Sequence, residues 1–406
     1  MSISNGPRTK IALLLAMGFS SGLPFFLIGS TLQAWMTELQ VNLKTIGIFG
    51  LVGLPYTFKF LWAPLLDRFP VPVLGRLRGW MLVTQLLGLV LTVAIGFSDP
   101  LNAPVITASL CFLLAMVAAT QDVVIDGYRA EVLSANERGT GAATGVIGYR
   151  VGMLYSGAVA LWLAASFSWP VVYGLMAAGF GVGILATLLC NEPELPTSKP
   201  KEYSIKAAFL EPLKDLLKRA HIGEIALLIL IYKLGEAYAN SLLVTFILSD
   251  GYSKVELANI QKFFGLLATI FGSIAGAAAL PRLGLHKALL YFGVLQALPL
   301  LGLTYLAMSA YSLSALVWVI GLENFTGGMA TVALTALCMA MCKKEFSATH
   351  YAVLSSIASL SRTTISATSG FVAAAVGWEN FFVICTILTV PGLLLLVRFK
   401  RWQIDG

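Results

Sequence analysis

Long runs of apolar residues follow one another along the whole chain, separated by short polar segments. Each run is about 20 residues long, which is the length that crosses a bilayer as an α-helix. The runs lack the period-two alternation of membrane β-strands. The pattern therefore predicts an all-α polytopic membrane protein with about twelve spans. They lie near residues 10–35, 45–66, 79–97, 103–129, 140–166, 169–190, 222–249, 255–281, 284–308, 312–342, 348–375 and 379–398.

One long polar stretch, residues 191–221, divides these spans into two sets of six. The sequence thus predicts an N-terminal bundle at 1–190, a linker at 191–221 and a C-terminal bundle at 222–406. Apolar residues recur in the linker at helical spacing among basic residues, which is typical of a short helix at the cytoplasmic interface. A simple tether between two bundles is the plainer interpretation.

The composition agrees with a membrane protein. Hydrophobic residues make up 58% of the chain and charged residues only 12%, whereas soluble domains carry about 25% charged residues. The net charge of +7 does not indicate nucleic-acid binding, because most basic residues lie in loops on one predicted side of the membrane. Such loops face the cytoplasm, and an even number of spans then places both termini there.

The sequence lacks the motifs of several other protein classes. It has no phosphate-binding Gly-Lys-Ser/Thr loop, no metal-ligand cluster and no nucleophile elbow, so we expect no enzyme activity, no cofactor and no metal. The five cysteines lie in or beside apolar spans and are predicted to be free thiols. The first apolar run, Ile11–Trp35, is too long for the core of a secretory signal peptide. An ion gradient is then the expected energy source for a transporter.

The fourth span carries acidic residues inside an apolar run. Asp122 and Asp126 are four residues apart, so on a helix they share one face, with Arg129 one turn further and Gln121 beside them. Carboxylates within a membrane are costly unless they face protein, water or a cation. A carboxylate in a partly dry cavity can bind and release a proton, so Asp122 and Asp126 are the predicted proton-coupling residues.

Other spans also carry polar residues, and these are the predicted substrate-binding residues. The acids recur in the fourth and tenth spans and the arginines in the fifth and eleventh, as repeated halves facing one cavity would place them. The cations suit carboxylates on a substrate. Structural ion pairs, such as Asp126 with Arg150, are the alternative, and Lys262 is equally compatible with a buried or an interfacial position. The set comprises Tyr56, Lys59, Gln121, Arg150, Lys233, Glu236, Asn240, Glu323, Asn324, Ser359 and Arg362.

Two sets of six spans with a central linker resemble the major facilitator superfamily. Its signature after the second span is similar to Ala63-Pro64-Leu65-Leu66-Asp67-Arg68 followed by Gly75-Arg76-Leu77-Arg78, here interrupted by Pro70–Leu74. The equivalent place in the second half has Pro281-Arg282-Leu283-Gly284 and lacks the acid. The resemblance implies a conformational gate, for which Asp67, Arg68 and Arg129 are the candidates.

An ordered set of short motifs runs over nearly the whole chain. The motifs are Gly29-Ser30-Thr31-Leu32-Gln33-Ala34-Trp35-Met36, Leu43-Lys44-Thr45-Ile46-Gly47, Phe58-Lys59-Phe60-Leu61-Trp62-Ala63-Pro64-Leu65, Gln121-Asp122, Glu137-Arg138-Gly139, Gly148-Tyr149-Arg150, Tyr232-Lys233-Leu234-Gly235 and Phe346-Ser347-Ala348-Thr349. Together they resemble the AmpG-type muropeptide permeases of Gram-negative bacteria. The resemblance implies a monomeric inner-membrane permease. It would use the proton motive force to import N-acetylglucosaminyl-1,6-anhydro-N-acetylmuramyl peptides for peptidoglycan recycling, and would thereby contribute to β-lactamase induction.

Two other hypotheses remain open at this point. The family more distantly resembles acetyl-coenzyme A transporters, so the chain could carry another anionic metabolite or a lipid. A non-transporting receptor or scaffold would show no substrate flux and no need for Lys59 or Arg150, but the short loops and the absence of a soluble domain argue against it. The expected partners are the substrate, protons and membrane lipid, and not nucleic acid.

Overall fold

A computed structural model describes residues 7–62, 66, 71, 74–132, 138–192, 213–309, 311–341 and 347–402. These residues form helices joined by short turns, and no strand occurs among them. In chain order the α-helices are α1 Pro7–Leu27, α2 Ser30–Glu38, α3 Leu43–Phe49, α4 Leu54–Phe58, α5 Arg76–Gly96, α6 Pro104–Val132, α7 Arg138–Leu154, α8 Ala160–Ala164, α9 Trp169–Ala178, α10 Phe180–Leu189, α11 Ile222–Ile231, α12 Leu234–Asn240, α13 Leu243–Ser249, α14 Lys254–Leu257, α15 Gly265–Leu283, α16 Leu285–Met308, α17 Leu313–Ala340, α18 Ser347–Thr363, α19 Ser369–Ile387 and α20 Val390–Leu395.

Several spans contain tighter or wider helical turns. The 3₁₀ turns are Gly50–Gly53, Lys59–Leu61, Ile365–Thr368 and Leu396–Trp402, and the π-helical turns are Tyr155–Val159 and Ala258–Phe264. The second predicted span is therefore built from α3 and α4 with a 3₁₀ turn after each. Such irregular turns inside membrane helices are tolerated where neighbouring protein satisfies the backbone.

The described helices agree with the predicted number of spans. Ten stretches are long and apolar enough to cross a bilayer, and a shorter apolar helix covers Leu43–Phe58. One of the ten, Val353–Phe399, is 47 residues long, which is enough for two crossings. Gly377 interrupts it with φ 77°, a conformation that favours glycine. This break falls between the last two spans predicted from the sequence.

The chain divides into two compact units. Unit 1 comprises Met1–Val41 and Val52–Lys199, and unit 2 comprises Asn42–Leu51 and Pro200–Gly406. The predicted linker lies mostly outside the described residues. Its last part is described: residues 213–217 are helical, and Leu216 is buried in the core of unit 2.

In unit 1, α1 and α7 pack through their backbones. A Cβ built on Gly148 would collide with the main-chain oxygen of Leu15, and one built on Gly22 would collide with that of Tyr149. Glycine is therefore required at both positions, as in other membrane helix pairs with small residues at the contact. This packing fixes the position of α7 along α1. It thereby also fixes the positions of the polar side chains on α7.

Unit 1 also has apolar contacts at both ends of its helices. Met17 and Met81 are fully buried in a cluster that includes Ile125 of α6. At the other end Trp35 stacks on Trp169 with ring centroids 5.6 Å apart, and the indole N–H of Trp169 donates to Glu38 at 2.7 Å. The first cluster holds α6 against α1 and α5, and the aromatic contact ties α2 to the start of α9.

Unit 2 repeats the close backbone packing with a different pair of helices. A Cβ on Gly272 of α15 would collide with the main-chain oxygen of Phe325 in α17. A Cβ on Gly328 of α17 would likewise collide with the main-chain oxygen of Thr269 in α15. The segment 42–51 belongs to this unit, where Gly47 lies against Gly370 of α19. A buried core that includes Leu228, Phe292 and Leu337 completes the unit.

The outer surface of the helices is apolar. Phe97, Val105, Trp318 and Val397 are each at least 75% exposed. Large exposed apolar surface of this kind is compatible with lipid contact and not with water.

Candidate functional site

The second span brings Lys59 to the acidic face of α6. Lys59 begins the 3₁₀ turn Lys59–Leu61, and its Nζ lies 3.9 Å from Asp122 Oδ2. The side chains are 35% and 14% exposed, respectively. Trp62, at the end of the same turn, donates from its indole N–H to Thr120 Oγ1 at 3.0 Å. Because Trp62 anchors the turn on α6, the ammonium of Lys59 is held beside the carboxylate of Asp122.

Asp126 forms its ion pair within its own helix. Its carboxylate contacts the guanidinium of Arg129, one turn further along α6. The Asp126 side chain is 55% exposed, so its carboxylate is much more accessible than that of Asp122. The alternative prediction of a structural Asp126–Arg150 pair is wrong, because Arg129 takes that place.

Both carboxylates border one cavity of about 150 Å³. Three helices of unit 1 line it, namely α1, α6 and α7. The lining residues are Gly18, Ser21, Asp122, Ile125, Asp126, Arg129, Gly145, Val146 and Tyr149. A cavity of this size, lined by apolar surface and by these few polar side chains, has room for several water molecules or for a compact polar group. It places the predicted proton-coupling residues where water can reach them.

The remaining predicted residues of unit 1 lie around this cavity in different environments. Tyr56 is half-buried, and its hydroxyl has no hydrogen-bond partner among the described residues. Gln121 is fully buried and donates to Ser20 Oγ at 3.1 Å, so it lies in the helix packing and not on the cavity wall. Arg150 is exposed, and its Nη1 lies 3.9 Å from Met153 Sδ. Asp67 and Arg68, the predicted gate, lie outside the described residues.

In unit 2, Lys233 lies at the break between α11 and α12. Its Nζ lies 2.9 Å from Glu236 Oε2 and donates to the main-chain oxygen of Gly327 at 3.2 Å and to Thr331 Oγ1 at 2.6 Å. Lys233 therefore ties the broken seventh span to α17. Lys233 and Glu236, three residues apart, thus lie on one face of the seventh span.

A second polar group of unit 2 centres on Glu323 of α17. Glu323 is only 4% exposed and accepts hydrogen bonds from Asn240 at 2.7 Å and from Asn324 at 2.8 Å. Asn324 in turn accepts from Thr269 of α15 at 3.0 Å. Each Glu323 oxygen thus has an amide donor, which favours a structural role for this carboxylate. That Glu323 contacts substrate stays a prediction.

The residues predicted on the eleventh span lie on α18. Ser359 donates to the main-chain oxygen of Ser355 at 3.0 Å, and Arg362 is exposed. Lys262, for which the sequence left two positions open, is 6% exposed and buried in the π-helical turn of the eighth span. It therefore does not reach the interface.

Sequence reasoning missed the uncharged polar residues that surround the charged side chains in each unit. Ser21 and Tyr149 line the cavity of unit 1, and Thr331 holds Lys233 in unit 2. A serine, a tyrosine or a threonine is common in membrane helices, so the residue type alone gives little signal. The glycines opposite Leu15 and Tyr149 could have indicated that α1 and α7 pack together, which would have pointed to Ser21 and Tyr149.

Metal binding finds no support in the described part of the chain. No group of three or more His, Cys, Asp or Glu side chains lies close enough there to hold an ion. Of the cysteines, Cys111, Cys190, Cys338 and Cys385 are buried free thiols. What these units offer is a set of ion pairs within membrane spans, and this is the chemistry of a carrier for ions or polar solutes.

Comparison with known proteins agrees with this assignment. A sequence model of the Major Facilitator Superfamily matches residues 14–363. A protein of Escherichia coli strain K12, named anhydromuropeptide permease, is 44% identical over 406 residues, which are 99% of this chain and 81% of that protein. A putative transporter of Rickettsia felis, AmpG 4, is 33% identical over 96% of both proteins.

Solved structures agree at the level of the fold. The crystal structure of a bacterial homolog of the human lysosomal transporter Spinster, inward-facing and unoccupied, matches with a TM-score of 0.76. The match covers 98% of both chains at 15% identity. The chain therefore belongs to the major facilitator superfamily, within which it is a member of the AmpG-type permeases.

Proposed function

We propose that this protein imports anhydro-muropeptides, N-acetylglucosaminyl-1,6-anhydro-N-acetylmuramic acid and its peptides, across the bacterial inner membrane for peptidoglycan recycling. The observation that carries the proposal is 44% identity over 99% of the chain to a relative named anhydromuropeptide permease. Polar groups inside the spans support it, because such a substrate offers hydroxyl, amide and carboxylate groups to bind. We further propose a monomer with both termini in the cytoplasm.

Proton coupling is the second part of the proposal, and it is carried by Asp122 and Asp126. Asp122 is the counterion of Lys59. When Asp122 binds a proton it loses its charge, and Lys59 then lacks an anion within the membrane, where an uncompensated charge is costly. Proton binding and the binding of an anionic substrate therefore favour each other. Alternating access of the site to the two sides would convert this linkage into proton-driven import.

The test is uptake of radiolabelled anhydro-disaccharide peptide by right-side-out membrane vesicles with an acid exterior. We expect accumulation above the external concentration that collapses to equilibration when a protonophore is added. Accumulation that is insensitive to the protonophore would reject proton coupling. Uptake of an unrelated anionic metabolite but not of muropeptide would reject the substrate.

Substitution tests whether the two carboxylates couple transport to protons. We expect Asp122→Asn and Asp126→Asn to lose accumulation while substrate binding remains measurable, because the uncharged amide is a constant mimic of the protonated acid. If both variants still accumulate substrate against a gradient, the assignment of these residues to proton coupling is wrong. Lys287→Gln is the control, since this lysine is exposed on α16 in unit 2.

A further inference from the structure

The cations of unit 1 differ in whether they have a carboxylate of their own. Lys59 lies beside Asp122, and Arg129 contacts Asp126. While Asp122 and Asp126 are ionised, each of these cations is therefore neutralised within the protein and has little spare charge for a ligand. This modifies the prediction that all cations of the spans bind substrate carboxylates.

Arg150 is the exception among the cations predicted to bind substrate in unit 1. In the described part of unit 1 it has no carboxylate within ion-pair distance, and its recorded contact is the Met153 thioether at 3.9 Å. A thioether is a weak acceptor, whereas a guanidinium has five N–H donors in a planar fork. The side chain is exposed and free to turn towards a ligand.

Arg150 lies on α7 close in sequence to residues that line the cavity. Gly148 and Gly152 mark the face of α7 that packs on α1. Arg150 is two residues from each, so it points away from that contact. Val146, one turn before Arg150, and Tyr149, its neighbour, both line the cavity. A guanidinium within a span faces water or a ligand, because facing lipid is costly.

The cavity itself offers groups suited to uncharged polar ligands. Its lining combines Ser21 and Tyr149 with the carboxylates of Asp122 and Asp126, whose charges are balanced by Lys59 and Arg129. Hydroxyl and carboxylate oxygens accept from sugar hydroxyls and amide N–H groups without requiring a charge on the ligand.

We infer that Arg150 binds the carboxylate of the substrate and that the adjoining cavity takes its uncharged hydroxyl and acetamido groups. This inference rests on the proposed function and names the part of the substrate that each group of unit 1 recognises. Arg150 thus becomes a specificity residue that favours a free carboxylate on the substrate over the corresponding amide. This is the lactyl carboxylate in the peptide-free disaccharide, and a carboxylate of the stem peptide where the lactyl group is amide-linked to it. The cavity does not distinguish a carboxylate from its amide.

The experiment compares two ligands that differ in one charge. One is the anhydro-disaccharide with its lactyl group as a free carboxylate, and the other is the same disaccharide with that group converted to the primary amide. Binding of both is measured by isothermal titration calorimetry on full-length protein in nanodiscs. We expect the unsubstituted protein to bind the carboxylate at least about tenfold more tightly than the amide, since a charge-assisted Arg–carboxylate contact is lost.

Arg150→Gln should weaken binding of the carboxylate ligand and leave binding of the amide ligand unchanged, so that the preference is lost. Arg150→Lys should retain part of the preference for the carboxylate. Ser21→Val, a cavity variant, should weaken both ligands to a similar extent. A merely structural part for Arg150 would instead weaken both ligands equally in Arg150→Gln, and that result overturns the inference. So does equal affinity of the unsubstituted protein for the two ligands.

These outcomes differ from failure of the proposed function. If the unsubstituted, folded protein binds neither disaccharide, the substrate assignment itself is wrong. If it binds both with the same affinity, the substrate assignment stands and only the part given to Arg150 is rejected. Lys287→Gln removes one positive charge from the exposed surface of unit 2 and should leave both affinities unchanged.

Discussion

Several charged residues inside the spans have partners that are close in the sequence or on a neighbouring helix. Asp126 uses Arg129 on its own helix, and Glu323 uses the amide of the next residue, Asn324, as well as Asn240. The sequence identified these residues correctly as polar groups within the membrane, because residue type and span position suffice for that. Their partners depend on which helices pack together and at what height, and a single sequence does not carry that information.

The Lys59–Asp122 pair should matter for transport far more than for stability. The two charges are 3.9 Å apart and Lys59 is 35% exposed, so we expect a coupling energy of about 1 kcal/mol or less. A double-mutant cycle of Lys59→Gln and Asp122→Asn, followed by thermal unfolding in detergent, measures it. Uptake should nevertheless be lost in both single variants. A coupling of several kcal/mol would show that the pair mainly holds the fold together.

Glu323, in contrast to the Lys59–Asp122 pair, should contribute strongly to stability. Glu323→Ala removes the buried acceptor of two amide groups, and we expect it to destabilise unit 2 by about 2 kcal/mol or more. Thermal unfolding of the purified protein in detergent gives the change. Glu379→Ala on α19 is the matched control, because that glutamate is exposed. Equal melting temperatures of the two variants would contradict the described hydrogen bonds.

At the scale of elements, α1 with α7 and α15 with α17 are the pairs in closest contact. The sequence predicted the helices, because their apolar runs are long, but it did not predict these pairs. Nor did it predict the 3₁₀ turn that presents Lys59, because a short irregular turn leaves no clear pattern in an apolar run. Such details are decided by tertiary packing, which overrides local preference.

The close contact between α1 and α7 predicts that one added methyl group lowers the stability of the protein. Gly148→Ala places a Cβ against the main-chain oxygen of Leu15, which cannot move without shifting the helix, so we expect a clear fall in melting temperature. Gly174→Ala is the control, since nothing lies within 4 Å of a Cβ there. That variant should be neutral or slightly stabilising, because alanine favours helix over glycine. Similar melting temperatures for both variants would contradict the close approach.

The loop between α5 and α6 should contribute a pH-dependent part of the stability. Hydrogen bonds from the main-chain N–H and the side chain of Asn102 hold the pKa of the Asp99 carboxyl below its usual value. A lowered pKa means that this contribution is present above the pKa of the unfolded state, about 4, and is lost as the pH falls below it. Asp99→Asn keeps the acceptor oxygen but does not titrate.

The measurement for this loop is the difference in melting temperature between the unsubstituted protein and Asp99→Asn as the pH is lowered from 6 to 3. We expect the unsubstituted protein to lose the larger amount over this interval. A difference that stays constant with pH would show that the charge of Asp99 does not contribute. The side chain is exposed, so the effect should be small and should diminish with added salt.

At the scale of the whole molecule, the fold class followed from composition and apolar run length, and the family followed from ordered motifs. Both are confirmed by the described helices and by the relatives. Orientation in the membrane remains a prediction that rests on the distribution of basic residues. It can be tested because Cys111, Cys190, Cys338 and Cys385 are buried and should react slowly.

Two single-cysteine additions test the orientation. Ser98→Cys lies in the loop between α5 and α6, which the basic residues predict to be periplasmic, and Lys287→Cys lies near the start of α16, on the predicted cytoplasmic side. A membrane-impermeant maleimide added to spheroplasts should label the first and spare the second until the membrane is permeabilised. The reverse pattern would overturn the orientation, and with it the proposed direction of import.

The glycine contacts between α1 and α7 have a mechanical consequence. Backbones that touch without intervening side chains cannot slide past each other by part of a turn, because each carbonyl blocks the next glycine. The two helices must therefore travel as one rigid body whenever this protein changes shape. We then expect any bending to occur in segments where a helix is interrupted, such as the turn that carries Lys59 and the break beside Lys233.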